Sequence, residues 1–270
     1  MGFEYLWIFL LISAIICTVG FYKYVYFLSI GYGFAVAGIG ITLAVMSING
    51  TFQAGVLHYL FFFFLFIYGV RLSVFLAVRE TKNIIYRKTL QEVTGDEAKM
   101  PIFVKAAIWI CVSMLYVGQT SPVFFRMYNG GKSSVVAWVA LAISTLGFLI
   151  EMEADRQKSI QKRVRPDMVA MKGLYKIVRC PNYFGEILFW SGIFISGLDI
   201  YNGWGQLVMA IVSYICIVYV MFDGAKRLEK RQMKRYGSET EYNTYADKTP
   251  IIIPLLPIYH LNKKSEKNTK

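Results

Sequence analysis

Seven apolar runs follow one another along the chain, at Leu6–Gly20, Tyr24–Met46, Val56–Val78, Ile102–Val117, Val135–Ile150, Tyr183–Leu198 and Leu207–Phe222. Crossing a bilayer takes about 20 helical residues, and a helix satisfies its own backbone groups where no water can. The runs predict an all-α, polytopic membrane protein with about seven transmembrane helices. Composition agrees: 56% hydrophobic residues, an aromatic share of 16% of the whole chain and a mean hydropathy of +0.46 are too apolar for one soluble core.

Loop charges supply a second test, because Lys and Arg gather on the cytoplasmic side of a membrane protein. With the N-terminus outside, the inward segments are Phe21–Lys23 with one basic residue, Arg79–Lys99 with five, Glu151–Asn182 with eight and the tail from Asp223 with eleven. The outward segments hold Arg126 and Lys132. An odd number of spans then places the C-terminus in the cytoplasm, at the inner membrane of a bacterium or the endoplasmic reticulum of a eukaryote. The net charge of +12 sits beside the spans. Topogenesis and anionic lipid account for it there, and no nucleic-acid partner is expected.

Several classes drop out. Cys17, Cys111, Cys180 and Cys216 are scattered, with no pair spaced for a metal or a redox motif, and His58 and His260 are too few for a histidine metal centre. No metal is expected. The first apolar run lacks a basic flank before it and reads as a span rather than a signal peptide. Gly31-x-Gly33 and Gly38-x-Gly40 lie in the second span, where small residues let helices approach; no strand-flanked dinucleotide fingerprint occurs. Paired interrupted helices and matching halves, the marks of many transporters, are missing. One domain is expected over residues 1–260, followed by a disordered basic tail at 261–270. Within the tail a charged helix is expected from Asp223 to Tyr236, with Gly237 as its stop.

Three constellations carry possible chemistry. Glu151, Asp155 and Ser159 share a helical face at four-residue spacing, with Lys158 and Lys162 beside it. Such a face is either a solvated helix end laced with ion pairs, or a receptor whose acids hold amides and ribose hydroxyls while its cations meet phosphates. Next comes Gly173–Glu186, which brings Arg179, Asn182, Tyr183 and Glu186 up to an apolar run where polar groups are expensive. Pro181 fits a first helical turn and Glu186 is an acid near its start, both ordinary at a helix N-terminus; capping leaves Arg179, Asn182 and Tyr183 unexplained. The third is Tyr68-Gly-Val-Arg71 inside the third span. A phenol with a pKa near 10 stays protonated at neutral pH and can donate to a carbonyl oxygen that becomes negative, although membrane tyrosines are often interface anchors.

Taken together, Gly173–Glu186, Glu151–Lys162, Tyr68-x-x-Arg71 and a tail with Leu228-Glu229-Lys230-Arg231, Tyr236-Gly237, Tyr242, Tyr245 and Pro254 resemble the steroid 5-alpha-reductase-type membrane reductases, especially their bacterial branch. The resemblance implies a seven-helix fold whose cytoplasmic loops and tail, about residues 145–257, form an NADPH site. It implies an apolar, membrane-embedded substrate, steroid-like or otherwise polycyclic, with a carbon–carbon double bond conjugated to a carbonyl. Carried over by motif, Asp155, Asn182, Glu186 and Lys162 would contact the cofactor and Tyr68 would polarise the carbonyl. Arg179 would contact the cofactor or stabilise the motif. Tyr183 and Tyr245 join the cofactor set, and Arg71 joins Tyr68.

Three positions depart from that pattern. Cys180 stands where many bacterial relatives carry histidine, Glu151 where an amide is familiar, and the carboxylate partner of the catalytic tyrosine has no match. Arg71 and Glu153 are the candidates to replace it. Two alternatives stay open: an S-adenosylmethionine-dependent membrane methyltransferase of the isoprenylcysteine carboxyl type, and a non-catalytic sterol-binding protein. The cationic loops favour a phosphate-bearing cofactor over a cationic one.

Overall fold

The computed structural model describes residues 2–82 and 100–262. Its helices are α1 (Leu6–Cys17), α2 (Ile30–Ile48), α3 (Val56–Lys82), α4 (Ile102–Tyr128), α5 (Val135–Val164), α6 (Pro181–Ile195), α7 (Trp204–Tyr236) and α8 (Thr240–Lys248), joined by short 3-10 turns. No strand occurs among the described residues. Six stretches are long and apolar enough to cross a bilayer: Phe3–Phe21, Tyr24–Ile48, Val56–Lys82, Ile102–Tyr128, Val135–Val164 and Trp204–Tyr236. The remaining expected span, Tyr183–Leu198, falls on α6, whose 15 residues rise only about 1.5 Å each, short of a full crossing. Exposed Trp7, Ile15, Phe63, Trp138, Val208 and Tyr219 line these helices. A bilayer covers such side chains; in water they would form adhesive patches.

Two compact units make up the chain, Met1–Leu141 with Ile193–Tyr214, and Ala142–Gly192 with Ile215–Lys270. In the first, glycines set the spacing. A Cβ at Gly40 would sit 2.9 Å from the Phe62 carbonyl oxygen, and one at Gly69 would sit 2.8 Å from the Ala37 amide, so α2 and α3 touch backbone to backbone as small residues permit. Gly38 faces Ile12 and Ile16 of α1 instead.

α4 runs eleven residues past the expected end of its span at Val117, through Gly118-Gln-Thr-Ser-Pro122. Pro122 offers no N–H to the Gly118 carbonyl one turn back, and the Ser121 hydroxyl donates to that oxygen at 2.7 Å. The extension carries Arg126 out of the expected outward loop and into the helix, wholly buried. Its Nε donates to Ser196 O at 2.6 Å and its Nη1 to Lys132 O at 2.8 Å, and Nη2 pairs with Asp199. Asn129 donates to Ile200 O and to Gln206 Oε1, each at 2.8 Å. Polar side chains near the end of α4 thus fasten the loop that precedes α7.

In the second unit α5 and α6 meet at Gly147 and Gly185. A Cβ at Gly185 would lie 2.6 Å from Glu151 N and 2.7 Å from Gly147 O, so neither position tolerates a side chain without separating the helices. The expected charged helix at 223–236 is the continuation of a single 33-residue helix, α7, which ends at Tyr236 just before Gly237. Ile217, Met221, Ala225 and Glu229 form its buried stripe. Beyond it, Met168, Tyr236, Tyr242 and Ala246 make a small core with Met171 and Met233. Leu261 and Asn262 are hydrogen-bonded to Glu229; the rest of the expected disordered tail, and the expected inward loop from residue 83 to 99, lie outside the described residues.

Candidate functional site

Two glutamines one turn apart on α5 shape the approach to the motif. Gln161 Oε1 accepts from Met171 N and Lys172 N at 2.9 Å each, and Gln157 Oε1 accepts from Leu174 N at 2.8 Å. Between them Gly173 takes a φ of 67°, a conformation that favours glycine, and a Cβ there would strike the Gln157 side chain. The chain then makes a 3-10 turn at Gly173–Lys176 and lies against the C-terminal strap: Arg179 N donates to Pro250 O and Cys180 N to Ile251 O, both at 2.8 Å. Pro181 opens α6, where a missing N–H is harmless.

Arg179 points inward. Its Nη2 donates to Glu229 Oε1 at 2.6 Å and to Tyr259 O. Glu229 Oε2 accepts from Leu261 N and Asn262 N at 2.9 Å and from Asn262 Nδ2 at 2.8 Å. His260 lies between Glu229 Oε1 at 3.1 Å and Asp247 Oδ1 at 2.8 Å. One buried carboxylate on α7 therefore fastens both the motif and the strap. Nε and Nη1 of Arg179, and the Tyr242 hydroxyl, are buried without a well-formed hydrogen bond among the described residues, although the guanidinium lies close enough to that hydroxyl to interact with it.

The acids expected to meet a cofactor are drawn inside. Glu151 is 2% exposed, and Asp155 and Glu186 are each 7% exposed. Glu151 abuts Gly185, the neighbour of Glu186. This burial departs from a solvated helix end, whose acids would face water. Glu153, the candidate partner for Tyr68, instead pairs with Arg156 at 2.7 Å in the second unit.

Several cations belong to the same unit. Lys162 Nζ donates to the Tyr236 hydroxyl at 3.0 Å and to Pro166 O at 3.3 Å. Lys158 lies within electrostatic range of Cys180, and Arg231 and Arg227 within range of Tyr183. Tyr183 rests against Gly224 of α7. Asn182, half-buried, begins α6 beside it. The Tyr245 hydroxyl donates to Tyr175 O at 2.7 Å, and burial raises its pKa. Burial likewise pushes the Cys180 thiol up to about 11, so it is neither a thiolate nucleophile nor a proton carrier at neutral pH.

Seven of the nine expected site residues, Asp155, Lys162, Arg179, Asn182, Tyr183, Glu186 and Tyr245, thus belong to the second unit, and Tyr68 and Arg71 belong to the first. Tyr68 is wholly buried on α3. Its hydroxyl lies 3.4 Å from that of Tyr32 on α2. The Tyr32 ring packs on Tyr116 of α4 at 4.9 Å, and Tyr116 in turn donates to Phe27 O at 2.5 Å. Arg71 sets its guanidinium 5.5 Å from the Phe75 ring. A phenol thus stands beside Tyr68 where a carboxylate was looked for.

Sequence reasoning missed Tyr32 and the anchoring role of Glu229. Glu229 had a signal: it continues the four-residue stripe of Ile217, Met221 and Ala225, and an acid on the buried face of a basic helix asks for a buried cation. Tyr32 had none, since it is one of 19 tyrosines.

Among the described residues no group of three or more His, Cys, Asp or Glu side chains is arranged to hold a metal ion. No solved structure matches the chain. An uncharacterized protein of Schizosaccharomyces pombe is 27% identical over 163 residues, covering 52% of this chain and 46% of its own length. The chain thus spans about half the length of that relative. A family model described as a protein of unknown function, DUF1295, matches residues 29–249. With most of the chain covered, the protein belongs to the DUF1295 family, the steroid 5-alpha-reductase-like group of membrane proteins.

Proposed function

We propose that the protein is a multi-pass, NADPH-dependent reductase of a carbon–carbon double bond conjugated to a carbonyl in a steroid-like or other polycyclic lipid. The observation that carries this reading is the second unit's set of buried polar side chains, Glu151, Asp155, Glu186 and Arg179, with two guanidinium nitrogens of Arg179 making no well-formed hydrogen bond among the described residues. Unpaired buried donors cost about 1–3 kcal/mol each, and an anionic ligand would relieve them. The donor set fits a nicotinamide dinucleotide: carboxylates for hydroxyls and amide, Arg179, Lys162, Lys158, Arg227 and Arg231 for phosphates. Held by these residues, the cofactor would lie on the side where the basic segments gather, the side such charge favours as cytoplasmic.

NADPH would supply a hydride, two electrons with one hydrogen nucleus, to the β carbon of the enone. Negative charge then develops on the carbonyl oxygen, and a proton adds at the α carbon as the π bond is lost. On the resemblance carried by Tyr68-x-x-Arg71, the Tyr68 phenol, shielded from water, would donate to that oxygen. A hydrogen bond between the Tyr32 and Tyr68 hydroxyls would orient the donor, since linked hydrogen bonds polarise one another. Arg71 and the membrane around α3 would keep the substrate's charge-bearing end in a poorly solvated site, where each donor counts for more.

A second reading rests on the same carboxylates. S-Adenosylmethionine is cationic, and buried acids suit it; a membrane methyltransferase would use Glu151, Asp155 and Glu186 without needing the basic ring. Incubating purified protein with NADPH and a panel of polycyclic enones tests the first reading. It expects cofactor oxidation matched by a product two hydrogens heavier. Methyl transfer from S-adenosylmethionine to a lipid carboxylate, with every enone left intact, would overturn it.

A further inference from the structure

We propose that Gln119 recognises a second oxygen function on the lipid substrate, a hydroxyl or carbonyl remote from the enone. The inference rests on the reading of Tyr68 as the group that meets the enone carbonyl. Gln119 lies on α4, is 4% exposed, and neither its Oε1 nor its Nε2 has a hydrogen-bond partner among the described residues. Both are hidden from water. An amide left so is a donor and an acceptor side by side, each awaiting a partner.

Its neighbours place it on the Tyr68 side of the first unit. On a helix, residues three or seven apart share a face, so Gln119 shares one with Tyr116 and with Arg126. Tyr116 packs on Tyr32, which meets Tyr68 of α3. Arg126, at the other end of that face, is close enough to His58, also of α3, to act on it through its backbone and its charge. The antiparallel pair α3 and α4 is therefore tied at two levels, Tyr68 with Tyr116 through Tyr32, and His58 with Arg126. Gln119 stands between those levels, one turn from the Tyr116 level. The neighbouring flank of α4 is closed, since a Cβ at Gly118 would strike the Ser213 side chain.

A lipid whose enone carbonyl reaches Tyr68 would extend along α3 and α4 past Leu65 and Phe61, both buried and apolar. Apolar side chains of that kind would meet a hydrocarbon skeleton without distinguishing its ends. Gln119 adds one point that does, and being both donor and acceptor it suits a hydroxyl or a carbonyl alike. Orphaned in the membrane, it would otherwise only destabilise the fold.

The test compares two polycyclic enones that differ only in a hydroxyl on the ring farthest from the enone, with wild-type protein and Gln119→Leu. The wild type should favour the hydroxylated enone in kcat/KM by at least about ten-fold, because the analogue leaves the amide unpaired. Gln119→Leu should lose that preference, bringing the two kcat/KM values within about two-fold of each other, and melt no lower. A wild type that reduces both enones without preference overturns the assignment of Gln119 even if the variant does not fold, and leaves the reductase intact. A preference that survives in Gln119→Leu does the same. A wild type that reduces neither enone while binding NADPH, or that fails to bind it, overturns the reductase and this inference with it.

Discussion

Arg179 and Glu229 form an ion pair at 2.6 Å whose side chains are 2% and 0% exposed. The pair joins the turn before α6 to α7, and the strap at Leu261 and Asn262 hangs on the same carboxylate. Breaking one side of a buried pair strands the other charge, at about 3–5 kcal/mol. Glu229→Ala should therefore lower stability by that order and make the C-terminal strap sensitive to limited proteolysis. Glu229→Gln should lose less, since its amide oxygen still accepts from the strap; equal melting of wild type and Glu229→Ala in detergent would contradict the anchoring role.

Arg126 and Asp199 give a pH-dependent counterpart in the first unit. Burial raises the Asp199 pKa, but hydrogen bonds from Ser134 and Arg126 outweigh it, and the net direction is below the ordinary 3.8. A carboxyl depressed on folding stabilises fully above its unfolded pKa, and the contribution fades as pH falls through the folded value. Asp199→Asn should accordingly flatten the loss of stability below about pH 4 while leaving Arg126 buried and less well paired at neutral pH. Thermal melts across that range should show the two curves converging as acid is added.

Tyr68 and Tyr32 separate chemistry from binding. Removing one donor to a developing oxyanion typically costs about 100- to 1,000-fold in kcat, so Tyr68→Phe should lose turnover on that scale with NADPH affinity unchanged. Tyr32→Phe should lose less, because it acts through Tyr68. If Tyr32→Phe were the more damaging of the two, the roles would have to be exchanged.

Gly185 tests how the cofactor acids are positioned. Even an alanine there would meet the α5 backbone at Glu151, and forcing extra atoms into such a contact costs about 1–3 kcal/mol. Gly185→Ala should shift Glu186 and weaken NADPH binding well beyond its effect on Tyr68-dependent turnover at saturating cofactor. Titration of cofactor against protein stability separates those effects.

What was legible in the sequence was what depends on local chemistry. Apolar length announced the spans, Pro181 and Gly237 marked helix limits where they occur, and the glycines of the second span indicated close helix packing. Arg126 misled because a lone arginine after an apolar run reads as a loop; only long-range contacts to Ser196 and Asp199 show that α4 carries it inward. Asp155 and Glu186 were readable as candidates from spacing and resemblance, but their burial depends on Gly147 and Gly185 meeting across two helices. Gln119 and Tyr32 were silent for the same reason: a polar side chain declares itself only when its surroundings are known.

The most direct test of the central claim, a nicotinamide dinucleotide phosphate held by the second unit, is the melting temperature of detergent-purified wild type and Glu186→Ala with NADPH, NADH, S-adenosylmethionine or no ligand. A ligand at one hundred times its dissociation constant stabilises by about 2.7 kcal/mol. NADPH alone should raise the melting temperature of the wild type, and Glu186→Ala should lose that shift. A selective shift with S-adenosylmethionine would transfer the protein to the methyltransferases, and no shift with any of the three would leave a sterol-binding membrane protein without a cofactor; either would contradict the claim.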